Sequence, residues 1–195
     1  MTIRLASTSP TRLKLLLDCG LSLAATDSKV DERALVAANP AWPPAQTAQH
    51  LAQAKAESVS ARHPADVVIG ADQVLSFQNR MFSKAMSREH CRQQLLELRG
   101  RDHHLISSVC CVRGGHLIWA HTDTATLTMR HFTDQFLDVY LEAIGSDCLT
   151  TVGGYKIESR GIQLFEKIIG DHFTILGLPL LPLLSFLRSA NAIPQ

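Results

Sequence analysis

The sequence lacks most of the features that mark specialised protein classes. Its 195 residues include five cysteines, Cys19, Cys91, Cys110, Cys111 and Cys148, an odd number without CxxC spacing. That pattern suggests neither a disulfide framework nor a zinc knuckle, and points to reduced thiols. No run approaches the roughly 18 consecutive apolar residues that span a bilayer. Residues 1–5 have none of the basic, apolar and small-residue zones of a secretory signal, so a soluble, cytoplasmic protein is expected. The formal net charge of +1 is too balanced to advertise a nucleic-acid surface or a membrane-bound patch, and any polyanion site must be local. The nine histidines contain neither HExxH nor HxH, which places His103 and His104 on a strand surface rather than on a metal. Repeats and low-complexity segments are absent, and the one proline cluster, residues 40–44, is a loop too short to link domains.

What is present is enough apolar material for a real core. The 46% hydrophobic and 19% charged residues fit one compact domain over residues 1–195, with 189–195 as a loose tail, or two small lobes around one cleft. A short strand over 3–6 leads to Ser9 as N-cap and Pro10 at the first helical position, opening a helix that closes at Gly20. A second helix from about Thr47 to His63 puts Ala48, Leu51, Ala52 and Val59 on one stripe, with Lys55 on the same stripe. Val67 to Leu75 is an apolar strand pattern with Asp72 inside it. A helix runs from Ser87 to before Gly100, followed by strands 103–112 and 116–120 around the hairpin signal Arg113 Gly114 Gly115, then alternating residues 122–130. Another helix spans about 133–144. Strands are expected over 162–168 and 172–176, and Pro179 and Pro182 open a last apolar helix to Arg188. Strands alternate with helices, which makes the fold class α/β.

Several polar residues sit where chemistry is plausible. Ser7, Ser9 and Arg12 surround a helix N-terminus, where free N–H groups favour an anion, although ordinary capping accounts for the same residues. A buried carboxylate such as Asp72 costs several kcal/mol unless a cation or metal pairs with it; the alternative is an Asp capping a turn. Asp31 and Glu32 either join it around a hard divalent cation or form a plain acidic loop. Lys55 and Lys84 are single cations in apolar neighbourhoods, suited to phosphate or else snorkelling to water. Residues 155–161 form a dense polar segment that includes Lys156 and Glu158.

Taken in order from Ile3 to about Arg188, these segments resemble the Maf family. Leu5 Ala6 Ser7 Thr8 Ser9 Pro10 with Arg12 is similar to its phosphate loop, Val30 Asp31 Glu32 to its acidic segment, and Ala54 Lys55 Ala56 to its helix lysine. Ile69 Gly70 Ala71 Asp72 resembles the strand bearing its catalytic aspartate. Lys84, the helix with Leu95 and Leu98, and Gly161 to Phe165 with Gly177 Leu178 Pro179 Leu180 complete the likeness. The resemblance implies an elongated, mixed and twisted sheet with helices on its faces, two lobes around a nucleotide cleft, and homodimers in keeping with the family. It also implies hydrolysis of a nucleoside triphosphate to the monophosphate and pyrophosphate, which cleanses the nucleotide pool.

The roles it implies are Asp72, Lys84 and Lys55 in catalysis, Ser7, Ser9, Arg12, Gln73, Lys156 and Glu158 on the substrate, and Glu32 with Asp72 on a divalent cation (Mg, Mn or Co). Gln73 and Glu158 depart from the Thr and Gln of pyrimidine-preferring members and look more like the branch associated with 7-methyl-GTP; Thr11 and Ala85 replace a frequent arginine and proline. Trp119 or Tyr155 is a stacking candidate for a cationic base, or else a core residue. The competing reading is a nucleotide-binding regulator of septum formation that binds without cutting.

Overall fold

The computed structural model describes residues 2–195 and is a mixed α/β structure. The strands among the described residues are β1 (Ile3–Leu5), β2 (Leu23–Ala25), β3 (Val67–Phe77), β4 (Arg80–Phe82), β5 (Asp102–Arg113), β6 (His116–Met129) and β7 (Phe165–Ile169). The helices are α1 (Pro10–Asp18), α2 (Glu32–Ala37), α3 (Pro44–Ser60), α4 (Arg88–Leu98), α5 (Asp134–Ile144), α6 (His172–Ile175) and α7 (Leu180–Ser189). Hydrogen bonding orders the strands β2-β1-β3-β5-β6-β7, with β4 paired to β3. The chain divides into two compact units: residues up to Gln73 with Ile106–Thr124 and Asp171–Gln195, and Val74–Leu105 with Ala125–Gly170.

In the first unit β1 runs parallel to both neighbours, Ile3 pairing with Leu23 on β2 and Val67 on β3. The period-2 alternation of β3 then sorts its side chains. Val67, Ile69 and Ala71 join Ile3, Leu5, Leu16, Val109, Leu178 and Leu183 in one apolar cluster, which is the α1 and α7 side. Val68 joins Ala52, Ala56, Val59 and Cys110 in another, which is the α3 side. Gly70 shares this second side, and its missing side chain is what lets α3 lie so close. A Cβ there would run into the Ala52 carbonyl oxygen and come within 2.8 Å of the Ala56 Cβ. The Gly114–Gly115 turn between β5 and β6 takes φ of 58° and 78°, the left-handed pair that a tight two-residue hairpin needs. The tail is not wholly loose, since Ala192 and Ile193 pack against the first cluster.

In the second unit α4, α5 and the 3-10 turns Gly145–Leu149 and Val152–Gly154 enclose Cys91, Cys148, Tyr140 and Tyr155. Gly154 has φ 68°, and a side chain there would run into Cys91 Sγ. His103, expected on a strand surface, is fully buried instead. Its Nε2 and the Tyr155 hydroxyl are hydrogen-bonded at 2.6 Å, and the Phe165 ring lies against it. His104 does lie exposed.

Two further expectations are corrected. Residues 172–176 are the single turn α6 rather than a strand, because Asp171 Oδ1 accepts the Thr174 N–H at 3.0 Å and nucleates a helix. Residues 162–164 belong to the 3-10 turn Arg160–Leu164, so β7 begins only at Phe165.

Burial pushes the His103 pKa down to about 4, so its ring stays neutral in the fold. Unfolded, the ring titrates near 6.5 and binds more protons than the native state between those values. The corresponding stability is therefore present above about pH 6.5 and lost as pH falls towards about 4, amounting to about 3 kcal/mol. His103→Gln, which keeps a partner for Tyr155, should flatten this acid slope. Urea midpoints of wild type and variant at about pH 7 and about pH 4.5 measure it; equal slopes would refute the assignment.

Candidate active site

Ser9 caps α1 as expected, its Oγ accepting the Arg12 N–H at 3.4 Å while Ser7 Oγ accepts the Ser9 N–H at 3.1 Å. Arg12 is thereby set on the first turn, and it is not a solvated surface side chain. Its Nε donates to the Gly177 carbonyl at 2.8 Å and its Nη1 to the Ala71 carbonyl at 3.0 Å. Both acceptors are neutral, so the guanidinium keeps its charge uncancelled by direct pairing. Burial lowers its pKa, opposed by the charges of Asp72 and then Glu32, which places all three in one electrostatic cluster.

The centre of that cluster is Lys55. Residue 72 follows 68 and 70 in the alternation of β3 and so faces α3, while residues 48, 51, 52, 55, 56 and 59 form the buried side of α3. These two periodicities bring Lys55 Nζ to 2.6 Å from Asp72 Oδ1, with both side chains about 8% exposed. Glu32 Oε1 reaches the same Nζ at 2.8 Å from a half-exposed position. Lys55 is therefore no lone cation, as the sequence reading had it, but is shared by two carboxylates. Asp31 and Glu32 are also not a loop: Asp31 Oδ1 caps α2 by accepting the Ala34 N–H at 2.9 Å, which leaves Glu32 in the first turn as the one that reaches Lys55. Burial pushes the Asp72 carboxyl up, with Lys55 and then Arg12 pulling it back down.

Gln73, the next residue, points to the opposite side of β3 from Asp72. Its Nε2 donates among Ser107 Oγ, the Thr174 carbonyl and the Ile175 carbonyl, each at 3.0 Å. The amide N–H groups are thus used within the protein, and its oxygen accepts no hydrogen bond among the described residues. Ser107 and Thr174 were not singled out in the sequence, although a serine in the apolar run Leu105–Val112 was a signal of a buried polar contact. Trp119 stacks on Phe186 with centroids 5.0 Å apart and packs on the first core cluster, which accounts for it as a core residue.

The remaining candidates lie in the second unit. Lys84 is exposed and has no ion-pair partner among the described residues. Lys156 pairs with Asp147 at 3.1 Å, and Glu158 is exposed. Tyr155 is buried with its hydroxyl on His103, so it cannot stack on a base without repacking.

An arginine on a capped helix start, a helix lysine and a buried strand carboxylate follow one another along the chain as Arg12, Lys55 and Asp72, and the sequence that carries them matches one family over almost its whole length. The family model described as Maf-like protein matches residues 2–190. This chain belongs to the Maf family. Among curated relatives it is 45% identical over 195 residues to the nucleoside triphosphate pyrophosphatase of Granulibacter bethesdensis, covering 99% of each chain. It is 47% identical over 186 residues to the protein of that name in Paramagnetospirillum magneticum, covering 94% of this chain and 96% of the relative. It is also 47% identical over 193 residues to the 7-methyl-GTP pyrophosphatase of Mesorhizobium japonicum, covering 98% and 97%.

The divalent cation implied for a Maf protein can be judged against the side chains present. No group of three or more His, Cys, Asp or Glu is gathered as a cage among the described residues. Two carboxylates, Glu32 and Asp72, do converge on one cationic atom. That donor set fits a hard ion such as Mg, which commonly takes one or two carboxylates and completes its shell with water and substrate phosphate.

The geometry also sets the cost of breaking the pair. Lys55→Met leaves Asp72 buried without its nearest cation and should destabilise the fold by about 3 kcal/mol at neutral pH, with Arg12 limiting the loss. Adding Asp72→Asn should recover most of it, since the charge that needed pairing is gone. Urea unfolding of the two single variants and the double variant reads the coupling; additive losses would show that Lys55 and Asp72 do not stabilise each other.

Proposed function

We propose that the protein is a nucleoside triphosphate pyrophosphatase, a hydrolase of acid anhydrides that converts a nucleoside triphosphate and water to the monophosphate and diphosphate. The observation that carries this is the buried Asp72 carboxyl, raised by desolvation and poised against Lys55 with Arg12 nearby. A carboxylate with a raised pKa is a better proton acceptor than an exposed one, and here it is aimed into a cluster that also holds cations for phosphate oxygens. The family membership and the names of the relatives support the same reading.

The roles divide by chemistry. Asp72 orients the attacking water and accepts its proton as the oxygen attacks the α-phosphorus. Arg12 and the Ser7–Ser9 loop bind phosphate oxygens, the guanidinium through the N–H donors that Gly177 and Ala71 leave unused. Lys55 holds Asp72 in place and adds positive charge. Glu32 and Asp72 would hold the divalent ion, which when bound offsets charge on the phosphates. Lys84 is assigned to charge neutralisation, and Lys156 to the substrate, on the resemblance of their segments. The base is assigned as a 7-methyl-GTP-like purine. Gln73 and Glu158 are assigned to it on the resemblance of their segments, a carboxylate suiting the N–H edge of guanine and a cationic ring, and three of the relatives carry the 7-methyl-GTP name. Five unbridged thiols suit a cytoplasmic setting, and no helix among the described residues is long and apolar enough to cross a membrane.

Asp72→Asn should lower turnover at least about a hundredfold with the fold retained. The assay scores pyrophosphate release from 7-methyl-GTP, GTP, dTTP and UTP at catalytic enzyme concentration. Wild-type turnover in the folded variant would remove Asp72 from the mechanism. Release of inorganic phosphate, or binding without release, would overturn the pyrophosphatase reading, whereas preference for dTTP and UTP would overturn only the base.

A further inference from the structure

Arg12 rests on a piece of backbone with little reason to stay in place by itself. Its Nε contact is the carbonyl of Gly177, just beyond the single helical turn α6, and a four-residue helix has no stability of its own. The turn ends in a Schellman arrangement. The Gly177 N–H donates to the Thr174 carbonyl at 3.0 Å and the Leu178 N–H to the Phe173 carbonyl at 3.0 Å, with Gly177 at φ 92°. The direction of the Gly177 carbonyl is therefore set by where Thr174 is held.

Thr174 is held on every polar atom. Its carbonyl accepts Ser107 Oγ at 2.7 Å and Gln73 Nε2 at 3.0 Å in addition to the Gly177 N–H. Its N–H goes to Asp171, and its hydroxyl donates to Asp123 Oδ2 at 2.7 Å. Thr174 and Ser107 are both fully buried. A carbonyl with three donors and a threonine without an unused polar atom is more restraint than one surface turn requires. What this restraint fixes is the acceptor under Arg12 and, through the same Gln73 side chain, the strand beside Asp72.

We propose that Thr174, tied by Asp123 and Ser107, is a positioning residue for Arg12: it sets the Gly177 carbonyl that aims the guanidinium at substrate phosphate. The inference rests on the reading of Arg12 as a phosphate ligand, and it places residues outside the resemblance, Thr174, Asp123 and Ser107, in the binding machinery. The hydroxyl of Thr174 touches no reacting atom and acts only through the turn.

The test compares Thr174→Val, which keeps the shape and loses the Asp123 bond, with Thr174→Ser, which restores a hydroxyl. Three quantities are read on the full chain: hydrogen exchange at Arg12 Nε–H by NMR without substrate, the dissociation constant for inorganic pyrophosphate, and KM and kcat for 7-methyl-GTP. In Thr174→Val the Arg12 Nε–H should exchange about tenfold faster, and pyrophosphate binding and KM should weaken about tenfold with kcat changed less than about threefold. Thr174→Ser should return all of them to within about twofold of wild type. A variant with a lowered Tm but an unchanged Arg12 Nε–H and unchanged binding would reduce Thr174 to a packing residue and overturn the proposal. Faster exchange with unchanged pyrophosphate binding would also overturn it, and would locate the failure in the role given to Arg12. Pyrophosphate binding follows the prediction or not whatever the enzyme hydrolyses. Should Thr174→Val not fold, Asp123→Ala removes the same bond from a partly buried partner and is read in the same way.

Discussion

The ion pair between Lys55 and Asp72 organises the first unit. To place a lysine nitrogen 2.6 Å from a strand carboxylate in a nearly dry interior, α3 must run close over β3. The residues that meet on either side are accordingly small: Gly70 on the strand, Ala52 and Ala56 on the helix. A larger residue at 70 would lift the helix and stretch the contact. Stability alone gives little reason for such a pair, because a buried ion pair is often no better than well-packed apolar residues of the same volume. The alanine and valine lining around it could have continued unbroken. The role proposed for Asp72, which needs a buried carboxylate with a controlled partner, would account for its presence in that lining.

Much of this was legible in the sequence because two simple periods carry it. The stripe Ala48, Leu51, Ala52, Lys55, Val59 is a 3.6-residue pattern, and Asp72 within Val67–Leu75 is a break in an apolar strand. Placing a lysine on a buried helix face and an aspartate in a buried strand already marks two charges that require partners. That they require each other follows from the parity of 68, 70 and 72, which only the identity of the facing helix decides. Ser9 and Pro10 announced α1 for a local reason, the cap and the pre-set φ of proline.

The misreadings have a common origin in short elements whose stability is borrowed from elsewhere. Residues 172–176, His Phe Thr Ile Leu, look like a strand by composition, yet Asp171 caps them into a turn that distant side chains then clamp. Of the two readings open for Asp31 and Glu32, the acidic loop fails because one of the two acids caps α2, which at only six residues leaves little periodicity to read. For His103 the sequence offers only an absence of metal spacing, which says nothing about burial. Its position is fixed by Tyr155, 52 residues away, a contact that no local pattern contains.

The charges of the first unit also bear on what it can hold. Arg12 and Lys55 are balanced in number by Asp72 and Glu32, so with both acids ionised the cluster is formally neutral. The balance is uneven in space, since Lys55 is in direct contact with both carboxylates while Arg12 is anchored only by backbone carbonyls. Arg12 is therefore the cation able to attract an anion without first giving up a salt bridge, and Lys55 attracts one only by loosening its hold on Asp72. A triphosphate brings several negative charges, and a neutral cluster with one available guanidinium leaves most of them unmatched. Carboxylates of its own would repel it further unless a positive ion lay between. A divalent cation held by Glu32 and Asp72, as proposed, would correct this imbalance. If Arg12 binds phosphate as proposed, its anchoring, rather than the strength of its charge, would be the quantity that the surrounding turn controls.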